Sequence, residues 1–113
     1  MDEQNITSHV QLNDLVKRAG NNLILIHFFA GWCTSCTNIA PKVDAIAGDI
    51  DNFTILKVNV EQCPGIVEAY EITQLPTFVF VKNKLILRTL RGNEYNVLKE
   101  TAINIAKKHS VQK

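Results

Sequence analysis

Two cysteines, Cys33 and Cys36, stand three positions apart just beyond the apolar run Leu23 to Ala30, with Thr34 and Ser35 between them. Thiolates are nucleophiles and metal ligands, so this spacing offers thiol–disulfide exchange or half of a zinc site. A zinc site needs a second pair. The chain has no other CxxC and no HxxxH, and its remaining soft donors, Cys63, His9, His27 and His109, are scattered. Redox chemistry is therefore the expectation, with no metal. One helical turn between the cysteines lets Cys36 reach Cys33 in disulfide geometry.

The chain holds 113 residues with 46% apolar content, 20% charged residues and a formal net charge of +1. That length suits one domain spanning residues 1–113, large enough to bury a core without disulfide staples. The net charge offers no electrostatic footprint for nucleic acid or an anionic membrane. The N-terminal stretch MDEQNITSH has two acids and no basic leader pattern, and Leu23 to Ala30 is far too short to span a bilayer. A soluble cytoplasmic monomer is the expectation. A reducing compartment would keep three cysteines as thiols, so the CxxC pair reads as catalytic rather than structural.

The elements that must position the pair follow from periodicity. Ser8 and Gln11 make a capping-box start, Leu12, Leu15, Val16 and Ala19 recur at helical spacing, and Gly20 supplies a stop. Residues 23–30 form a continuous apolar run, as a strand covered on both faces requires; only His27 is out of character. Ile39, Val43, Ile46 and Ala47 predict a helix ending at Gly48, with Pro41 inside it, and FTILKVNV at 53–60 predicts a second buried strand. A short helix over 66–70 precedes TFVFV and LILRTL, whose short connection, Lys82, Asn83 and Lys84, fits only an antiparallel hairpin. Leu98, Ala102, Ile105 and Ala106 predict a last helix, with Lys107, Lys108 and Lys113 at a solvated basic end. The result is an α/β mixed sheet of four to five strands flanked by four helices.

This arrangement puts Cys33 at a helix N-terminus beyond a strand's carboxyl end, where unpaired amides and the helix dipole favour a thiolate. Cys33 is thus the expected nucleophile and exposed sulfur, and Cys36, lying deeper, the resolving thiol. The hydroxyls of Thr34 and Ser35 are placed to donate to sulfur or to cap the helix.

The segment FFAGWCTSCTNIAPKVDAIA resembles the active-site segment of the thioredoxin family, and the likeness extends along nearly the whole chain. ILKVNVE at 55–61 is similar to the family's next strand, LPTFVF at 75–80 to its proline loop, and Gly92 to the glycine of its substrate surface. The resemblance implies a thioredoxin fold and a protein dithiol–disulfide oxidoreductase with no bound cofactor. It further implies disulfide-containing protein substrates and recycling by an NADPH-dependent thioredoxin reductase. Trp32 would be a lid over the disulfide and Pro76 a cis-proline facing Cys33. The Leu75 backbone would pair with an extended substrate, on a surface shared with Thr34, Ser35 and Gly92.

Departures from the family pattern sharpen the reading. Thr34-Ser35 replaces the usual Gly-Pro, and His27 stands where an aspartate usually lies beneath the resolving cysteine, close to Lys57. Burial and Lys57 should both hold His27 neutral, which leaves it a base toward Cys36 with a working range nearer pH 7 than a carboxylate's; the other reading is a core histidine. Cys63 matches an extra, regulatory cysteine of animal cytosolic thioredoxins, or is simply a packed hydrophobe. Two other functions stay in view. One is a glutathione-linked oxidoreductase, against which the LPT loop speaks; the other is a thioredoxin-like binding module with little reductase activity.

Overall fold

The computed structural model describes residues 4–110; Asp2, Glu3 and Lys113 lie outside the described residues. Nine elements follow one another: β1 (Gln4–Ile6), α1 (His9–Ala19), β2 (Leu23–Phe29), α2 (Thr34–Asp49), β3 (Phe53–Asn59), α3 (Pro64–Ala69), β4 (Thr77–Lys82), β5 (Leu85–Arg91) and α4 (Tyr95–Ser110). They build a five-stranded sheet in the order β1-β3-β2-β4-β5. The β1–β3 and β3–β2 pairs are parallel, and the β2–β4 and β4–β5 pairs antiparallel, which is the mixed sheet expected.

The central position of β2 explains its unbroken apolar run. Alternate side chains point to opposite faces. Ile24, Ile26 and Phe28 enter a core with Leu12 and Val16 of α1 and Ile66 of α3. Leu25 enters a second core with Ile39, Val43 and Ile46 of α2 and Leu98 and Ala102 of α4. Full burial of a side chain such as Phe28 contributes about 1.5–3 kcal/mol.

Local signals set the boundaries. The Ser8 side chain accepts from the Gln11 amide at 3.0 Å, while Gln11 Oε1 reaches back to the Thr7 amide at 2.9 Å, one residue before the cap. Gly20 closes α1 at φ 60°. α2 runs one residue past Gly48 and continues across Pro41. The hairpin connection is tighter than the sequence indicated: Lys82 belongs to β4, leaving Asn83 and Lys84 as a two-residue turn at φ 52° and 67°. The periodicity predicts a helix as the first element and no counterpart of β1, whose register runs from Gln4 opposite Leu56 to Ile6 opposite Val58.

Candidate active site

Beyond the end of β2 the chain turns through Ala30–Cys33, closed by a Cys33 amide bond to the Ala30 carbonyl at 3.1 Å. Cys33 then caps α2: its Sγ accepts from the Cys36 amide at 3.2 Å, taking the place of the oxygen that usually fills this position. Cys33 is therefore held at the positive end of a 16-residue helix. Cys33 and Cys36 are joined as a disulfide with Cα atoms 5.3 Å apart. Both are buried, Cys33 at 5% and Cys36 at 2% exposure, so the expected contrast between an exposed and a deep sulfur is small in this oxidised form. The two intervening hydroxyls differ. Ser35 Oγ lies 3.4 Å from Cys33 Sγ, whereas Thr34 is exposed and, among the described hydrogen bonds, does not reach the sulfur.

Three other segments close around the disulfide. Leu75 packs on the cluster of Ala30, Cys33 and Cys36, and the Leu75–Pro76 peptide bond is cis. The Pro76 carbonyl accepts from the Gly92 amide at 2.9 Å, with Gly92 at φ 107°, a conformation that favours glycine. Thr77 Oγ1 donates to the Gln74 carbonyl at 2.6 Å and fixes the loop from below. Trp32 is 70% exposed, leaving most of its surface open to a partner. The Gly31 amide beside it donates to Glu61 Oε1 at 3.2 Å. Glu61 was not singled out from the sequence; its signal was its place as the first charged residue after β3.

His27 is 2% exposed, on the β2 face that packs against α2 and α4, and stacks on Phe78 at 4.7 Å between ring centroids. Neither ring nitrogen has a hydrogen-bond partner among the described residues. Burial first, and the Lys57 ammonium second, push its pKa down to about 4. It is neutral at pH 7, as both effects dictate, but the expected working range nearer pH 7 is corrected: burial brings the imidazole down to carboxylate territory. Lys57 sits opposite His27 in the β2–β3 register, and its Nζ lies 3.4 Å from Asp44 Oδ2 of α2. Asp44 is a second residue the sequence reading missed, since an acid inside a helix gives no sign of which strand residue it will face.

Cys63 is buried at 4% exposure, with Sγ 3.5 Å from the Ile6 carbonyl, and burial raises its thiol pKa. A buried thiol with a raised pKa is a packed group, which favours the hydrophobe over a regulatory site. Among the described residues no group of three or more His, Cys, Asp or Glu could hold a metal ion.

The family model described as Thioredoxin matches residues 4–104. The chain belongs to the thioredoxin family. A thioredoxin of Fasciola hepatica superposes with a TM-score of 0.84 at 34% identity, covering 94% of this chain and 98% of that one. Thioredoxin 1 of Plasmodium falciparum is 30% identical over 84% of this chain and 89% of its own length. A peptide-N(4)-(N-acetyl-beta-glucosaminyl)asparagine amidase of Caenorhabditis elegans is 37% identical over 80% of this chain, which spans only 15% of that protein's length. The thioredoxin fold is thus shown over nearly the whole chain.

Proposed function

We propose that this thioredoxin-family chain is a dithiol–disulfide oxidoreductase that reduces disulfides in other proteins. Cys33, disulfide-bonded to Cys36 while capping α2, is the observation that carries the reading. In the reduced protein the Cys33 thiolate attacks one sulfur of a substrate disulfide, and the other substrate sulfur leaves as a thiolate. The Cys36 thiol then loses its proton and attacks Cys33 Sγ, breaking the mixed disulfide. The substrate gains two electrons, the Cys33–Cys36 pair loses them, and the second substrate sulfur leaves as a thiolate. The amide of Cys36 and the hydroxyl of Ser35 are the donors that stabilise charge on Cys33 Sγ. Leu75 and Pro76 offer backbone to an extended substrate, flanked by Trp32 and Gly92.

His27 is the proposed acceptor of the Cys36 proton. The strand β2 and helix α2 run antiparallel, and Leu25 packs among Ile39, Val43 and Ile46. His27, two residues further along the same face, therefore lies at the level of the first turns of α2. An NADPH-dependent thioredoxin reductase returns the electrons, and no bound cofactor is required. A monomer in the cytoplasm, where thiols are kept reduced, fits this role.

Insulin reduction, driven by dithiothreitol or by a thioredoxin reductase with NADPH, tests the reading. Turnover that disappears in Cys33→Ser is expected. Undiminished substrate binding without turnover would instead identify a binding module, and dependence on glutathione a glutaredoxin-like enzyme.

A further inference from the structure

The charges of this chain are unevenly placed around the disulfide. Residues 28–41 contain no charged side chain, and residues 59–76 contain Glu61, Glu68 and Glu71 but no lysine or arginine. The loop after β5 adds Glu94. Of the cations bordering these segments, Lys42 holds its ammonium 5.4 Å from the centroid of the Tyr95 ring, and Arg91 turns its guanidinium to the Glu71 carbonyl at 3.4 Å.

Glu61 is the acid set closest to the chemistry. Its own amide donates to Asn59 Oδ1 at 2.9 Å, and the neighbouring Val60 amide donates to the Phe29 carbonyl at 2.9 Å, which ties the two loops together. Its carboxylate accepts from Gly31, two residues before Cys33. Two residues span at most about 7 Å, so the carboxylate lies within about 10 Å of the Cys33 backbone. It is exposed, yet held in place at both its backbone and its side chain. A charge so fixed acts on a docked chain at a distance comparable to the ~8 Å screening length of physiological salt.

From this we propose that Glu61 is a specificity-determining residue, favouring disulfides whose flanking residues are lysine or arginine and disfavouring acidic flanks. The inference rests on the exchange reading above and names the substrate class for it. A single pair of unit charges at this range changes a rate by a factor of about two in low salt. Two basic flanks give several-fold discrimination.

Two short peptides with one intramolecular disulfide, identical except for lysine or glutamate flanks, provide the test. Single-turnover reduction by the dithiol form of the protein is followed at low and high salt. The lysine peptide should react about three- to ten-fold faster at low salt, with the ratio falling toward one at high salt. Glu61→Gln keeps a carbonyl oxygen for Gly31 but removes the charge, so it should slow the lysine peptide and speed the glutamate peptide. A purely structural role would move both rates the same way. Equal rates on the two peptides, or a preference that survives undiminished in Glu61→Gln, overturn the proposal. Reduction of neither peptide would sink the exchange reading, and this one with it.

Discussion

At the scale of single residues, the Cys33 sulfur is served by two donors, the Cys36 amide at 3.2 Å and the Ser35 hydroxyl at 3.4 Å. The amide comes with any helix begun by a cysteine; the hydroxyl is particular to this sequence. A donor to the thiolate stabilises the reduced form and raises the potential, with ~30 mV equivalent to ~1.4 kcal/mol. The couple should be less negative than the roughly −270 mV of thioredoxin. Ser35→Ala should lower it by roughly 10–30 mV, and Thr34→Ala should leave it nearly unchanged. Equilibration against a glutathione buffer measures all three; equal shifts in the two variants would remove the distinction. For His27, Ala substitution should slow resolution of the mixed disulfide by ~10²-fold while sparing attack by Cys33, as single-turnover kinetics can separate. An unchanged resolution rate would leave His27 a core residue. Cys33, Cys36 and the odd character of His27 were legible because each breaks a local pattern. Glu61 and Asp44 were not, because their meaning lies in contacts with Gly31 and Lys57 that chain folding alone creates.

At the scale of elements, legibility followed length. The seven-residue β2 and the 16-residue α2 announce themselves by period, whereas β1 has only three residues, with Ile6 placed in the core. A strand so short carries no readable alternation; it forms because it pairs with β3, whose other side pairs with β2. Ile6 is 1% exposed, so Ile6→Ala should destabilise the fold by about 2–3 kcal/mol in urea titration, from lost burial and the cavity left behind. A change below about 0.5 kcal/mol would mean that β1 frays at no cost. The hairpin holds the opposite lesson. Asn83 was recognisable as tolerant of a left-handed backbone, but a two-residue turn also forces Lys84 to φ 67°. Lys84→Gly relieves that strain, and should raise stability by about 0.5–1 kcal/mol and the melting midpoint by a few degrees. A lower midpoint would count against strain at Lys84.

At the scale of the whole molecule, the formal charge of +1 conceals a local gathering of basic residues, with Asp49 and Asp51 beside Lys82 and Lys107. Lys17 and Arg18 end α1, Lys82 precedes the hairpin turn and Lys84 lies in it, and Lys107 and Lys108 end α4. Lys82 Nζ donates to the His109 carbonyl at 3.1 Å and the Asn83 amide to the Gly20 carbonyl at 3.3 Å, so these three ends meet at the pole away from the disulfide. Composition could not reveal this; topology does.

The same packing makes global stability depend on pH through one core side chain. His27 takes up its proton near 6.5 when unfolded but only near 4 in the fold, where burial and Lys57 oppose it. Between those values the unfolded chain binds more protons than the native one, so stability rises with pH across the interval and levels off above about pH 7. Read downward, acid selectively favours unfolding. The difference amounts to about 3 kcal/mol between pH 7 and pH 4. Other groups titrate in the same range, so the quantity to measure is the difference between the protein and His27→Phe, by denaturant titration at a series of pH values. Phenylalanine removes the titration whatever its own effect on packing, which shifts the comparison by a constant. The difference curve should fall by about 3 kcal/mol from pH 7 to pH 4 and be flat above neutrality. A difference flat throughout would show that His27 titrates alike in both states, and with it would go the claim that the fold holds this imidazole neutral for Cys36.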